Sequence, residues 1–210
     1  MKTLVRQKTR SMKSKTIKEN TRGDAQKFLQ GIVPLGNIIE LSGSRAKEYA
    51  VKACKTMTES DYITDWIDVV EISAESANIR DAQDLNSNFS QWRAENAADA
   101  FNLLTSLAAG ENAKLIVFNS ISMLSLVRVE DMEKTLDDKE FLDIVDPSQR
   151  GEIPDFLGMR AKIISDGLSK LMELVKENGS TIIFIGSTEK DYWTSQPLVR
   201  DRANLCLKIS

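Results

Sequence analysis

The chain has 210 residues, 41% hydrophobic and 28% charged, the balance of one globular domain large enough for a substantial core. It contains no histidine, which excludes Ser-His-Asp and Cys-His nucleophilic chemistry and every histidine-ligated metal site, and two cysteines are too few for a structural zinc. The net charge of −3 hides an asymmetry: residues 1–22 carry eight basic side chains (Lys2, Arg6, Lys8, Arg10, Lys13, Lys15, Lys18, Arg22) against Glu19, a net +7 that leaves the rest of the chain at −10.

A basic arm on an acidic body suggests an anionic partner, nucleic acid above all. The plainer reading is a solvated tail, or one that pairs with the acidic surface of a neighbouring subunit. The first residues lack the apolar core of a signal peptide, and no apolar run approaches the roughly 20 residues of a membrane span. Cys54 and Cys206 sit in apolar helix and strand patterns and read as buried thiols. A disulfide between them is the less expected state, so a reducing, cytoplasmic compartment is indicated and no membrane partner.

After the arm, residues 24–30 read as a short helix closed by Gly31 and followed by Pro34. Residues 37–41 (Asn-Ile-Ile-Glu-Leu) read as a strand that turns tightly into a helix from Arg45 to about Thr58, with Tyr49, Ala50, Ala53, Cys54 and Met57 on one face. Residues 66–72 read as a second strand, followed by a polar loop containing Asn86, Ser87 and Asn88. A helix from about Ala94 to Ala108 then turns Phe101, Leu104 and Leu107 inward. Residues 114–118 form the unbroken apolar run of a central parallel strand. Residues 130–155 hold ten acidic side chains against three basic ones, an acidic insertion with a short helix expected at 139–145. Pro154 opens a long helix, 155–178, in which Ile164, Leu168, Leu171 and Val175 recur at helical spacing and Gly179 caps the end. Residues 180–185 are another buried strand. A polar loop with Tyr192, Trp193 and Pro197 leads to a closing strand at 204–209. Strands alternating with helices predict an α/β fold, a central mostly parallel sheet with helices on both faces. The expected division is a basic arm, 1–22, and a core, 23–210.

The strand–turn–helix at 36–49 is the scaffold on which nucleotide-binding α/β proteins wrap phosphate, with backbone N–H groups and a lysine directed at the anion. The scaffold is present and the loop is not. Counting from Gly43, the expected second glycine is Glu48 and the expected lysine is Tyr49. Lys47, in the first turn after Gly43 and Ser44, comes too early to serve as that lysine; its plainer role is a solvated helix residue.

Taken in order, these segments resemble the core ATPase domain of the RecA recombinase family. Arg10-Ser-Met12 and Thr16-Ile17 are similar to its lead-in, and residues 33–43 to the approach to its phosphate loop. Residues 72–77 (Ile-Ser-Ala-Glu-Ser-Ala) are similar to the strand end carrying its catalytic glutamate, which falls on Glu75. Residues 115–120 resemble its metal-binding strand, residues 157–171 the helix after its first DNA-binding loop, and residues 181–187 the strand ending in its nucleotide-sensing glutamine. The likeness runs over about residues 10–209 and implies a RecA-like core.

The departures imply a pseudo-ATPase with no cofactor. The Gly-Lys-Thr of the phosphate loop is gone, leaving Gly43, Ser44 and Lys47 as vestiges. The metal-strand aspartate is Asn119, which cannot supply the charge that holds magnesium. The sensor glutamine is Ser187, too short to reach a γ-phosphate. Only Glu75 remains of the catalytic positions, and a base needs a positioned substrate. A divergent ATPase built on Lys47 and Glu75 is the minor alternative.

The family's two DNA-binding loops correspond to about 125–155, which the acidic insertion makes repulsive to DNA, and 187–203, neutral by count. In the second, Tyr192 and Trp193 are candidates to stack bases, with Arg200 and Arg202 beside them; the plainer role of the aromatic pair is to anchor the loop. The small N-terminal and C-terminal domains of the family have no counterpart. Two functions follow from the resemblance. One is a non-catalytic RecA-like protein of DNA recombination, repair or replication, binding single-stranded DNA or joining a recombinase filament. The other is a protein-interaction module on the same fold that acts as a regulator, inhibitor or assembly subunit, with self-association or a protein partner and no DNA binding.

Overall fold

The computed structural model describes residues 23–81, 88–119, 121, 156–186 and 195–209. The basic arm, the acidic insertion with its expected short helix, Ser187, Tyr192 and Trp193 lie outside the described residues.

Six strands form one sheet: β1 (Ile38–Ser42), β2 (Ile63–Val69), β3 (Phe89–Ala94), β4 (Lys114–Asn119), β5 (Thr181–Ile185) and β6 (Leu205–Lys208). Their order is β3-β2-β4-β5-β1-β6, and every pairing is parallel. The fold class is the one expected from the sequence, α/β and consistent with a RecA-like core, with a sheet that is parallel throughout. Among the described residues, no helix is long and apolar enough to cross a membrane.

Helices cover both faces. On one face lie α1 (residues 23–29), α2 (Ala46–Glu59) and α3 (Ala74–Asp81), which bury Phe28, Ala53, Cys54 and Ile79 against Ile39, Trp66, Val117 and Ile183. On the other lie α4 (Ala97–Ala108), α5 (Phe156–Asn178) and α6 (Ser195–Arg202), which bury Phe101, Leu104, Leu168 and Val199 against Ile67, Phe118, Ile182 and Phe184. Each crossover follows from the strand order. The links carrying α2 and α3 move toward the β3 edge on one face. Those carrying α4, α5 and α6 move toward the β6 edge on the other, so all crossovers share one hand, as parallel connections require. Neighbouring links therefore run in opposite directions at three places: β3 and β2, β2 and β4, and β5 and β1. At such reversals the carboxyl ends of open α/β sheets leave a crevice where ligands bind.

Several local expectations are corrected. The second strand starts at Ile63 and ends at Val69, because Val70 adopts φ 69° and turns the chain out of the sheet before Ile72. Residues 74–81 are helical, so Glu75 lies in the first turn of α3 and not at a strand end. The polar loop after it contains an additional edge strand, β3, and the expected helix starts after it, capped by Asn96, whose side chain accepts from the Asp99 N–H at 2.9 Å. The polar stretch around Pro197 ends in α6. Both cysteines are free; Cys54 is buried as expected, whereas Cys206 is exposed on the edge strand β6.

Candidate functional site

The turn from β1 into α2 lies at the carboxyl end of the sheet. Gly43 takes φ 104°, and a Cβ placed there would sit 2.1 Å from the carbonyl oxygen of Ile209, so only glycine fits. That carbonyl, just after β6, accepts a hydrogen bond from the Arg45 N–H at 3.3 Å, and the Ile209 N–H donates to the Ser42 carbonyl at 2.7 Å. The Ala46 N–H donates to the Gly43 carbonyl at 3.2 Å. A phosphate site at a helix N-terminus needs N–H groups that face the anion. Here the amides of Arg45 and Ala46 already serve carbonyl groups, and the backbone of Ile209 packs directly against Gly43.

The side chains of the turn are also engaged. Arg45 donates to both carboxylate oxygens of Glu48, at 2.8 and 2.7 Å, and its guanidinium lies 5.4 Å from the centre of the Tyr49 ring. The hydrogen bond and charge of Glu48 hold the Arg45 pKa above its ordinary value, and the Arg45 hydrogen bond in turn lowers that of Glu48. Lys47 and Glu75 are brought together: Lys47 Nζ lies 3.5 Å from Glu75 Oε2 across the first turns of α2 and α3. Each satisfies the other on a partly exposed surface.

At the reversal between β2 and β4 stands a buried residue that motif reading passes over. Asp68 is 0% exposed, and its carboxylate accepts four hydrogen bonds. The Trp66 indole N–H donates to Oδ1 at 3.0 Å and the Asn119 amide at 2.8 Å, while the Ser73 N–H at 3.0 Å and the Ser76 hydroxyl at 2.5 Å donate to Oδ2. Gln91 extends the network by donating to Ser76 Oγ at 2.6 Å. Asp68 and Asn119 are partners in the β2–β4 register, which places the amide directly beside the carboxylate. An aspartate at position 119 would set two carboxylates against each other; the asparagine supplies a neutral donor. The amide oxygen of the same side chain, Asn119 Oδ1, is buried and has no hydrogen-bond partner among the described residues.

Two of the candidate DNA-binding residues are turned to internal work. Arg200 on α6 makes a two-pronged contact with Glu40 of β1, Nη2 to Oε1 at 3.0 Å and Nε to Oε2 at 3.2 Å. Glu40 is 1% exposed, and its hydrogen bond and charge raise the Arg200 pKa. Arg202 reaches α5, where its Nη2 donates to Ser165 Oγ and its Nε to Ser169 Oγ at 3.4 Å. These contacts fasten α6 to the sheet and to α5.

The structure thus brings Lys47 to Glu75, and Asn119 to an aspartate that motif reading passes over. It gives Gly43 a packing role; Ser44 is exposed in the turn. The available signal for Asp68 and Glu40 is a carboxylate inside an otherwise apolar strand that is buried on both faces, which demands specific partners. Among the described residues, no three His, Cys, Asp or Glu side chains converge to hold a metal ion. No protein-family model matches the chain, and a search of curated proteins gives no significant match.

Proposed function

We propose that this chain is a non-catalytic RecA-like protein of DNA recombination, repair or replication, with a core that serves as scaffold and a basic arm that contacts DNA. The observation that supports the non-catalytic part is the closed β1–α2 turn, in which the Ile209 carbonyl packs against Gly43 and takes the Arg45 N–H. Asn119 adds to it, since its amide is committed to Asp68 and brings no charge for magnesium. Arg200 and Arg202 hold α6 in place, so the DNA contact falls to the eight basic residues of the arm.

The test is fluorescence anisotropy with labelled single-stranded DNA, without nucleotide, on the full chain and on a variant with those eight residues changed to Gln. Binding should weaken at least about tenfold between low and moderate salt, as counterion release requires, and should vanish in the variant. Absence of binding at low salt would overturn the DNA reading. The second reading, a protein-interaction module, is favoured by one specific feature. Leu29, Ile32 and Leu35, at the approach to β1, are large apolar side chains that the core leaves exposed. It predicts a protein partner whose binding Ile32→Ser abolishes.

A further inference from the structure

The turn that ends β2 is unusual in its backbone and in its surface. Val70 takes φ 69°, a region that β-branched residues rarely adopt. Three hydrogen bonds hold it there. The Val70 N–H donates to the Ala94 carbonyl at 2.8 Å, the Glu71 N–H to the Val69 carbonyl at 2.9 Å, and Arg93 Nε to the Val70 carbonyl at 2.7 Å. Glycine or asparagine would make this turn with less strain. What valine adds is an apolar side chain, and it is 44% exposed; Ile72, two residues on, is 46% exposed.

The acidic residues outnumber the basic ones among the described residues close, in the chain or in the sheet register, to this pair. Glu71 lies between them, Glu95 follows the Ala94 carbonyl that Val70 grips, and Asp99 lies in the first turn of α4; all three are exposed. Arg93, a basic residue beside the turn, has its Nε held by the Val70 carbonyl. The complementary ligand is therefore an extended basic segment with apolar residues set among its charges. The chain carries one: residues 1–22 place Leu4 and Val5 beside Arg6, Met12 beside Lys13 and Ile17 beside Lys18. The geometry permits the contact within one chain. From β1 to β2 is three strand spacings, about 14 Å, and the length of β2 adds about 23 Å. An extended arm of this length spans up to about 70 Å, ample for the path from α1.

We propose that the turn at Val70–Ile72, with Glu71, Glu95 and Asp99 around it, is the docking site of the chain's own basic arm. The docking stands independently of what the arm binds. Its meaning as an autoinhibitory contact, which DNA must displace, rests on the DNA reading above.

The experiment is limited trypsin digestion of the full chain in low salt, following cleavage at Arg6, Lys8 and Arg10 by mass spectrometry. The comparison is with Glu71→Gln/Ile72→Ser/Glu95→Gln, three exposed changes that add no tryptic site, and with Val70→Asn, which keeps the positive φ. Loss of the contact should speed arm cleavage about tenfold, the kinetic equivalent of roughly 1.4 kcal/mol. Equal rates in the native chain and both variants overturn the proposal. Protection that grows with protein concentration overturns its same-chain form. Anisotropy on the same proteins separates the two readings. Faster cleavage with tighter DNA binding supports both, whereas faster cleavage with no DNA binding by any of the proteins supports the docking and overturns the DNA function.

Discussion

The two faces of the sheet solve the same problem in different ways. On the face covered by α4, α5 and α6, the buried carboxylates of Glu40 and Asp65 are each met by a cation. Arg200 grips Glu40 with two hydrogen bonds, and Lys114 Nζ lies 3.5 Å from Asp65, which also accepts from the Trp92 indole at 2.7 Å. On the face covered by α1, α2 and α3, Asp68 is met by neutral donors: an indole, an amide, a hydroxyl and a backbone N–H. A cation brings charge compensation and ties a distant element to the sheet, as Arg200 ties α6 to β1. Neutral donors stabilise the carboxylate through hydrogen bonds without an opposite charge, and tie together neighbouring strand ends. The second arrangement stands in the crevice where a ligand of this fold class would bind. There the polar network holds β2, α3 and β4 to one another.

The largest expected break in this contrast is Asn119→Asp. It sets a second carboxylate beside Asp68 at the 2.8 Å contact now made by an amide, and should cost about 3–5 kcal/mol at neutral pH in urea unfolding. The pair would hold a proton more tightly folded than unfolded. Stability should therefore recover as the pH falls into the acid range. A neutral-pH loss below about 1 kcal/mol would show that the amide is not what holds Asp68.

Next is Arg200→Ala, which takes the guanidinium from a carboxylate that is 1% exposed. The expected loss is about 2–4 kcal/mol, below the full value for a buried pair because Arg200 itself is 54% exposed and partly screened. Thermal unfolding measures it, and an unchanged midpoint would mean that α6 is held by packing alone.

The thiols sharpen the comparison between the faces at a smaller scale. Burial, and then the charge of Glu40, push Cys206 up to about 11 from 9.0, and burial pushes Cys54 up as well. The folded chain therefore keeps its protons where the unfolded chain loses them. This contribution is complete below pH 9 and is lost as the pH rises from there through the folded value. At pH 8 Cys206, although exposed, should react with iodoacetamide about tenfold more slowly than a free thiol. The hundredfold deficit in thiolate is partly offset by its greater nucleophilicity. Reaction at the free-thiol rate would refute the influence of Glu40 and burial.

The smallest effect is Lys47→Ala. Its 3.5 Å contact with Glu75 is partly exposed on both sides, so the loss should stay within about 0.5 kcal/mol, and it serves as the control for the buried pairs.

The fold was legible where one physical signal dominates. The apolar runs that became β1, β4 and β5, and the helical spacing of Ile164, Leu168, Leu171 and Val175, gave their elements directly. β3 was not legible because it is an edge strand. Ser90, Gln91, Trp92 and Arg93 are not buried, so its alternation is diluted by polar side chains. Short helices such as α3 and α6 bury few residues and show little periodicity. At the site, the missing lysine and shortened turn could be read from residues 43–49, but what fills the turn could not. The carbonyl that closes it belongs to Ile209, and the guanidinium that answers Glu40 lies 160 positions away. Neighbouring residues carry no trace of such pairings.

The position of β1 has a consequence for how the chain is born. Ile38 pairs with Ile182 and Ile39 with Leu205, so both neighbours of this strand come from far downstream. While the ribosome is making the intervening residues, β1 has emerged with two apolar faces and neither edge partnered. The sheet cannot close around it until β5 and β6 have followed, and pairings of such long range are slow to form. The nascent chain must therefore spend most of its synthesis with this strand exposed, a period in which its safety depends on what shields it.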